Sequence, residues 1–263
     1  MTNKQEQTQY LMRLSIQVRL DGLSFFTQND EGTVVDYAAF QFRKKVDPAG
    51  LLSEIQFIVK ENPLLQSKYK NVSVIYVNNL FTLVPQALFD ETKLTDYLKF
   101  NTKMLQTDFV TFDHIGTHEI VNVYIPYANV NNYFFDQYGA FTYHHALTHL
   151  ITEVLDNAGH QEEAQILINI HPHSFEMIIT EQKKLLFANT FEYQTKEDFI
   201  YYVLFTLEQL SLNPETVELE LTGAIDPTDE KYNIAYTYIR NVQIKEAKTS
   251  QIPISDYLLS TLL

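Results

Sequence analysis

Apolar residues that alternate with polar ones, in two separate stretches of the chain, restrict this sequence to a fold built on mixed sheets. Residues 14–20 alternate with a period of two, which predicts a half-buried strand, and residues 23–27 and 34–42 predict two further strands. Asp47-Pro48 then combines an N-cap residue with proline at the first helical position, and the helix that follows ends before Pro63. The opening unit is therefore three strands followed by a helix.

The same order of elements begins again after Gly159. Residues 166–170, 174–180 and 185–193 predict three strands, and a capping-box-like start at 195–198 precedes a helix. The two stretches align at an offset of 150 residues, with one extra residue in the second hairpin. The matched residues are Ser24 with Ser174, Phe25 with Phe175, and Phe40 with Phe191. Because these identities are few, two unrelated sheets of similar burial are the alternative to the duplicated fold that we favour.

The segment between the repeats predicts further mixed structure. Residues 72–77 and 80–84 predict a hairpin that turns at Asn78-Asn79. Two more strands are expected at 107–113 and 119–125. The segment therefore extends the first repeat into a mixed α/β lobe.

Composition narrows the class of protein. The chain has 263 residues, of which 45% are hydrophobic and 20% charged, and this hydrophobic content is enough to bury a core. Its 7 glycines and 8 prolines exclude collagen-like and linker sequences. With 0 cysteines, disulfide scaffolds, zinc fingers and thiol catalysis are excluded. A net charge of -14 disfavours binding to nucleic acid or to anionic membranes. Polar residues at 1–9 and the lack of an apolar run of about 20 residues predict neither a signal peptide nor a membrane helix, so a cytoplasmic location is expected.

Three runs of sequence point to a family, and they lie at 189–193, 197–205 and 238–242. With the duplicated unit, they make the chain similar to a family of uncharacterised bacterial proteins, a domain of unknown function with the actin-like ATPase fold of actin, Hsp70 chaperones and sugar kinases. The resemblance implies an α/β, duplicated, ribonuclease H-like fold with two lobes, each a mixed sheet with flanking helices, at about 10–158 and 160–263. It implies no activity, because the family has none assigned.

The resemblance also identifies where a nucleotide site would lie. Active members of the superfamily place Asp-x-Gly at the end of the first strand of each lobe, where the carboxylate holds hydrated Mg²⁺ and glycine lets N–H groups approach phosphate. The matching positions hold Arg19 and Asp21 in the first lobe, and Asn169 and His171 in the second. Pro172 also removes a backbone N–H from the second phosphate loop. Neither lobe keeps the acid and the glycine together.

A third element of such sites is a strand that ends in two glycines beside the adenosine. Gly223 matches the first of them, and Ala224 replaces the second. The candidates for a remnant cleft between the lobes are Arg19, Asp21, Gly22, Asn169, His171, His173 and Gly223. We expect no catalytic residue, no cofactor and little nucleotide binding at these positions.

Histidines form two other candidate groups. His145, His149 and Glu153 recur at i, i+4 and i+8 on a long helix predicted over 142–157, a spacing that suits a divalent metal. They lack the HExxH order and a further ligand, so a polar helix face without metal is expected. His171 and His173 flank Pro172 in a hairpin break, where solvated turn residues are expected rather than ligand contacts.

The helix predicted over 196–210 is the most aromatic in the chain. Tyr201 and Phe205 are four residues apart and lie off its apolar stripe, so they are either an exposed ring pair of the kind that anchors interfaces or rings packed on a neighbouring lobe or strand. The leading hypothesis is a non-catalytic interaction or scaffolding module with an unknown protein partner, without nucleic acid or membrane. The alternative is a nucleotide-binding ATPase or switch.

Overall fold

The computed structural model describes residues 13–100, 102, 104, 108–159 and 163–263, so the predicted lobe starts at 10 and 160 lie outside the described residues. The strands are β1 (Arg13–Arg19), β2 (Gly22–Gln28), β3 (Val34–Gln41), β4 (Asn71–Tyr76), β5 (Phe81–Pro85), β6 (Thr111–His114), β7 (Ile120–Tyr124), β8 (Thr142–His145), β9 (Gln165–Ile170), β10 (Ser174–Glu181), β11 (Lys184–Glu192), β12 (Glu218–Gly223) and β13 (Asn241–Ile244). The α-helices are α1 (Pro48–Glu61), α2 (Leu94–Leu98), α3 (Ala128–Tyr138), α4 (Ala146–Asn157), α5 (Lys196–Gln209), α6 (Glu230–Tyr238) and α7 (Tyr257–Ser260).

Two five-stranded sheets share one topology. The first has the order β3-β2-β1-β4-β8 and the second the order β11-β10-β9-β12-β13. In each sheet the first three strands of the repeat form an antiparallel meander, and the next strand, β4 or β12, pairs in parallel with the first strand of that repeat, β1 or β9. This repetition confirms the predicted duplicated α/β fold.

The chain divides into two compact units. Unit one contains residues 13–76, Tyr127–Tyr143 and Leu263, and unit two contains Val77–Pro126 and His144–Leu262. Unit two therefore also holds a three-stranded sheet of order β5-β7-β6. These units are defined by which residues pack together, whereas the predicted lobes are defined by the repeat in the sequence. The lobe bounds 10–158 and 160–263 therefore stay a prediction.

The hairpin predicted over 72–84 is wrong. β4 lies beside β1 in the first five-stranded sheet, whereas β5 pairs antiparallel with β7 in the three-stranded sheet. The side chain of Asn78 explains the change of direction, because its Nδ2 donates to the carbonyl of Ile125 at 3.0 Å and its Oδ1 accepts the N–H of Leu80 at 2.8 Å. The two strands predicted at 107–113 and 119–125 are confirmed in part: β6 and β7 pair antiparallel, but β6 begins only at Thr111, and residue 107 lies outside the described residues.

The helix predicted over 142–157 begins four residues late. Thr142 to His145 form the strand β8, and α4 starts at Ala146. His145 is its N-cap, with an extended backbone and an imidazole that accepts the N–H of Leu147. Of the predicted series His145, His149 and Glu153, only the last two therefore lie on α4.

Each unit has its own apolar core. In unit one, alternate residues of β1 and β2 pack with Leu51 and Ile55 of α1, and in unit two those of β9 and β10 pack with Phe199 and Val203 of α5. Polar side chains on the opposite faces of both sheets are buried as well. Both faces of each sheet are therefore covered, as expected for sheets with parallel strands.

The residue matches between the repeats hold in part. The rings of Phe25 and Phe40 are 6.4 Å apart, and those of Phe175 and Phe191 are 5.2 Å apart, so this contact recurs. Ser24, however, lies opposite Gln17 within the first hairpin, whereas Ser174 precedes the first residue of β10 that pairs with β9. The second turn, at 171–173, is one residue longer than the first and shifts the register.

Gly223 lets the end of β12 approach β9. Its φ is +86°, and a Cβ at this position would lie 2.2 Å from the carbonyl oxygen and 2.6 Å from the nitrogen of Ile170. The next residue, Ala224, donates its N–H to the same carbonyl at 2.7 Å. Only glycine fits this contact, because a side chain meets backbone atoms that cannot move away.

We expect Gly223→Ala to lower the free energy of unfolding by about 2–4 kcal/mol, since it adds both left-handed strain and a backbone clash. Denaturant titration of the purified variant measures this. Gly116→Ala is the matched control in the same unit, because Gly116 has a φ of +49° but its added Cβ would meet nothing closer than 3.5 Å. A loss no larger than that of the control would contradict the close-approach account.

Candidate functional site

The candidates in unit one form an internal ion pair. Nε of Arg19 lies 3.0 Å from Oδ1 of Asp21, and the two side chains are only 11% and 9% exposed. The backbone carbonyl of Asp21 accepts the N–H of Phe42 at 2.8 Å. A Cβ on Gly22 would lie 2.9 Å from Nη2 of Arg19 and 2.6 Å from the carbonyl oxygen of Phe40, so the glycine makes room for the guanidinium. The carboxylate of Asp21, at the glycine position of the motif, is thus paired with Arg19, the residue at the acid position.

The candidates in unit two are buried around a carboxylate that sequence reasoning missed, that of Glu176 on β10. Nδ2 of Asn169 donates to Oε2 of Glu176 at 2.8 Å, and Nε2 of His171 lies 3.0 Å from the same oxygen. The three residues are at most 2% exposed. The hydroxyl of Tyr193 donates to the carbonyl of His171 at 2.6 Å and fixes the turn.

The charge state of Glu176 follows from these contacts. Burial acts to raise the pKa of Glu176, but the charge and hydrogen bond of His171 and the hydrogen bond from Asn169 outweigh it and hold that pKa below its ordinary value. The carboxylate is therefore ionised, and Nε2–H of His171 is its donor. Asn169 and His171 face the interior of unit two, where they stabilise this anion.

The other candidates lie at the edges of this group. His173 and Pro172 are exposed in the turn between β9 and β10, and the carbonyl of His173 accepts the N–H of Tyr193 at 3.1 Å. Gly223 lies at the end of β12, beside Ile170. The structure therefore brings Asn169 and His171 together and leaves His173 in solvent.

The polar helix face predicted for His145, His149 and Glu153 is wrong for His145, which is buried, whereas His149 is half-buried on α4. His145 is fully buried, with Nε2–H donating to the carbonyl of Asn78 at 3.0 Å and Nδ1 accepting from Leu147 at 3.2 Å, so neither nitrogen is left for a metal. Nε2 of His149 is also shielded from solvent. Within the described ranges, no group of three or more histidine, aspartate or glutamate side chains is placed to hold a metal ion.

Glu153 belongs to a different group, at the other end of α4. Its Oε2 lies 2.8 Å from Nζ of Lys248, and its Oε1 accepts the hydroxyl of Tyr257. Next to it, Nζ of Lys245 lies 2.7 Å from Oε2 of Glu220. Apart from Lys248, these side chains border a cavity of about 300 Å³ in unit two. Because each carboxylate there has a lysine, the group is charge-balanced and fastens the C-terminal segment to α4.

A second missed carboxylate, Asp113 on β6, lies at the start of α4. Its Oδ1 accepts from Nδ1 of His144 at 3.0 Å and from the hydroxyl of Tyr124 at 3.2 Å. Its Oδ2 accepts from the backbone N–H of His145 at 2.9 Å and from the hydroxyl of Thr148 at 2.7 Å. Burial raises the pKa of Asp113, but the hydrogen bonds and the charge of His144 exceed that effect, so this pKa is lowered overall.

The pair of Asp113 and His144 resembles the base of a hydrolase, but the hydroxyl beside it is used differently. In a nucleophilic triad the hydroxyl donates to the imidazole. Here the hydroxyl of Thr148 donates to Asp113 itself, and Nδ2 of Asn122 donates to Thr148 at 3.1 Å. This arrangement anchors α4 to the three-stranded sheet and activates no nucleophile.

Comparison with known proteins assigns the family. The chain matches the family described as "Protein of unknown function (DUF3822)" over residues 2–242 and belongs to it. It is similar to a Bacteroides thetaiotaomicron protein with an actin-like ATPase fold and unknown function, at 23% identity and a TM-score of 0.82 over 99% of this chain and 98% of that one. A chain of the PilM-PilN type IV pilus biogenesis complex has 13% identity and a TM-score of 0.59 over 97% and 98% of the two chains. No curated protein matches.

These similarities establish the fold class. The chain has the actin-like ATPase fold that its sequence predicts, within a family of unknown function. No helix in the described part of the chain is long and apolar enough to cross a membrane.

His145, which is buried, and His149, which is half-buried with its Nε2 shielded from solvent, make stability depend on pH. Burial lowers the pKa of His145 and that of His149 to about 4, from 6.5. Between these values the unfolded chain binds protons that the folded chain does not, so the free energy of unfolding falls as the pH falls from about 6.5 to 4. We expect His149→Gln to remove about 2 kcal/mol of the loss that the wild type shows between about pH 7 and 4.5. Urea titrations at both pH values measure the difference.

His173→Gln is the control for this experiment, because His173 is exposed. It should leave the pH dependence of the wild type unchanged. Equal pH slopes for the wild type and His149→Gln would show that His149 is not held neutral in the folded chain.

Proposed function

We propose that the protein is a non-catalytic interaction or scaffolding module of the cytoplasm, which keeps the actin-like architecture without its phosphate chemistry. One observation carries the proposal: the side chains at both Asp-x-Gly positions bind groups within their own unit. Arg19 pairs with Asp21, and Asn169 and His171 hold Glu176. The acid positions of the two motifs hold Arg19 and Asn169, so neither offers a carboxylate to anchor hydrated Mg²⁺.

The backbone donors of the second lobe support the same proposal. Phosphate loops bind anions through N–H groups that point at the ligand. Here the N–H of His171 closes the turn on Ser174 at 2.8 Å, and Pro172 has none. The N–H groups of Ala224 and Ile225 bond to Ile170 and Gly223, at 2.7 and 2.8 Å. The donors that would cradle a nucleotide are thus used within the fold.

An interaction role also agrees with the surface and with a protein of similar fold. Tyr201 and Phe205 are 59% and 45% exposed, so the alternative in which they pack on a neighbouring lobe or strand is wrong. The PilM-PilN structure, which the chain resembles in fold, is a complex of two named proteins. The net charge of -14 favours a protein partner over nucleic acid or an anionic membrane.

Purified protein should hydrolyse no more ATP in the presence of Mg²⁺ than a heat-treated control, because the two acid positions hold Arg19 and Asn169 and the N–H groups described beside the second are bonded within the fold. Phosphate release measures turnover, and calorimetry with a non-hydrolysable ATP analogue measures binding. His173→Ala serves as a matched variant, because its side chain lies exposed beside the second turn and its removal leaves the buried pairs intact.

Turnover that co-purifies with the wild type and disappears in His173→Ala, at an unchanged melting temperature, would contradict the proposal and favour the ATPase. Saturable binding of the analogue without turnover would favour a nucleotide switch instead.

A further inference from the structure

The outer face of α5 carries an unusual order of exposed side chains. Glu197, Tyr201, Phe205 and Glu208 are all exposed, at i, i+4, i+8 and i+11. This spacing places them in one line along the helix, about 16 Å long. We call these four residues the outer stripe. It has two rings at its centre and an acid at each end.

The helix that carries the outer stripe is firmly held. Phe199, Val203 and Leu207 on the opposite side of α5 are fully buried in the core of unit two. At its start, Thr195 accepts the N–H of Asp198, and Asp198 accepts the N–H of Thr195, which closes a capping box. The exposed rings therefore lie on a rigid element and not on a loop.

The two exposed rings continue a row of half-buried ones. Phe187 and Phe191 on β11 stack at 6.2 Å, and Phe191 stacks on Tyr202 at 4.9 Å. Tyr202 meets Tyr201 edge-on at 5.5 Å, and Tyr201 stacks on Phe205 at 5.8 Å. Each exposed ring is thus held by a neighbour, so a partner would lose little side-chain freedom by binding it. Preorganised aromatic rings of this kind are typical anchors of interfaces.

The acidic residues at the ends of the outer stripe favour a partner with basic side chains. Glu197 and Glu208 lie at the two ends of the outer stripe, on a chain of net charge -14. Basic side chains on a partner gain from both acids, and a guanidinium also gains from the ring faces. A second copy of this chain is disfavoured, because antiparallel packing of two such helices would bring acid against acid.

We infer that the outer stripe of α5 binds an amphipathic helix of a partner protein, with two apolar residues about four positions apart that meet Tyr201 and Phe205 and with lysine or arginine on the turns that flank them. A straight line of anchors on a helix fits a second helix better than an extended strand, since both present side chains every three to four residues. The inference rests on the proposed interaction role and assigns it a surface and a partner chemistry.

The test uses the full chain and three synthetic helical peptides labelled with fluorescein. The first has two leucines four positions apart, flanked by lysines; the second replaces the lysines with glutamate, and the third replaces the leucines with alanine. Fluorescence anisotropy should show saturable binding of the first peptide only, and this binding should weaken as salt rises. We expect Tyr201→Ala to weaken it about tenfold or more, with a melting temperature within about 2 °C of the wild type.

Phe57→Ala is the matched control. Phe57 is 64% exposed on α1 and lies between Glu54 and Glu61, so it offers a single exposed ring with acids on both sides but no ring pair. The affinity of this variant for the lysine-leucine peptide should equal that of the wild type.

Three results would overturn the inference. They are no binding of the lysine-leucine peptide, equal binding by Tyr201→Ala and the wild type, and equal binding of the glutamate peptide. Self-association that is lost in Tyr201→Ala would also overturn it, by assigning the outer stripe to a second copy. None of these results bears on ATP turnover, so the surface can fail while the non-catalytic role stands.

Discussion

The buried carboxylate of Asp113 on β6 connects β7, β8 and α4 in unit two. It accepts hydrogen bonds from Tyr124 on β7, from His144 and the backbone of His145 on β8, and from Thr148 on α4. Four donors compensate the loss of water around a buried charge, so the group stays ionised. The start of α4 is thereby fixed to the three-stranded sheet, and α4 in turn packs on β10 and β11 of the second five-stranded sheet.

Shielded polar groups that bind each other lie at the Asp-x-Gly positions of both repeats. Arg19 with Asp21 closes the first hairpin, and Glu176 with His171 and Asn169 closes the second. In each case the polar groups stabilise the turn between the first two strands of a repeat. The positions that the resemblance aligns with the Asp-x-Gly motifs of active superfamily members are thus part of the interior here, which supports the proposed non-catalytic role.

Local pattern was enough to predict the repeated order of strands and helices, because alternation and capping residues lie within a few positions of each other. The actin-like fold itself was predicted from the family resemblance carried by residues 189–193, 197–205 and 238–242. The sequence could not predict which strand pairs with β5, because β4 and β7 both have the pattern of a strand. The contact of Asn78 with Ile125 favours the pairing of β5 with β7. Glu176 escaped notice because it lies between Phe175 and Met177, where alternation indicates a solvent face. That face is covered, so the acid is buried.

The anion at Glu176 also limits which single substitutions this chain can accept at Asn169. Changing Asn169 to aspartate, the acid that an active relative would hold there, would remove a donor to Glu176 and set a second carboxylate in hydrogen-bonding distance of the first. Two adjacent carboxylates cannot both ionise, so the substitution is unfavourable unless Glu176 changes in the same step. The residues at 169 and 176 are therefore energetically coupled, so an acid at 169 is compatible with this interior only when Glu176 is replaced as well.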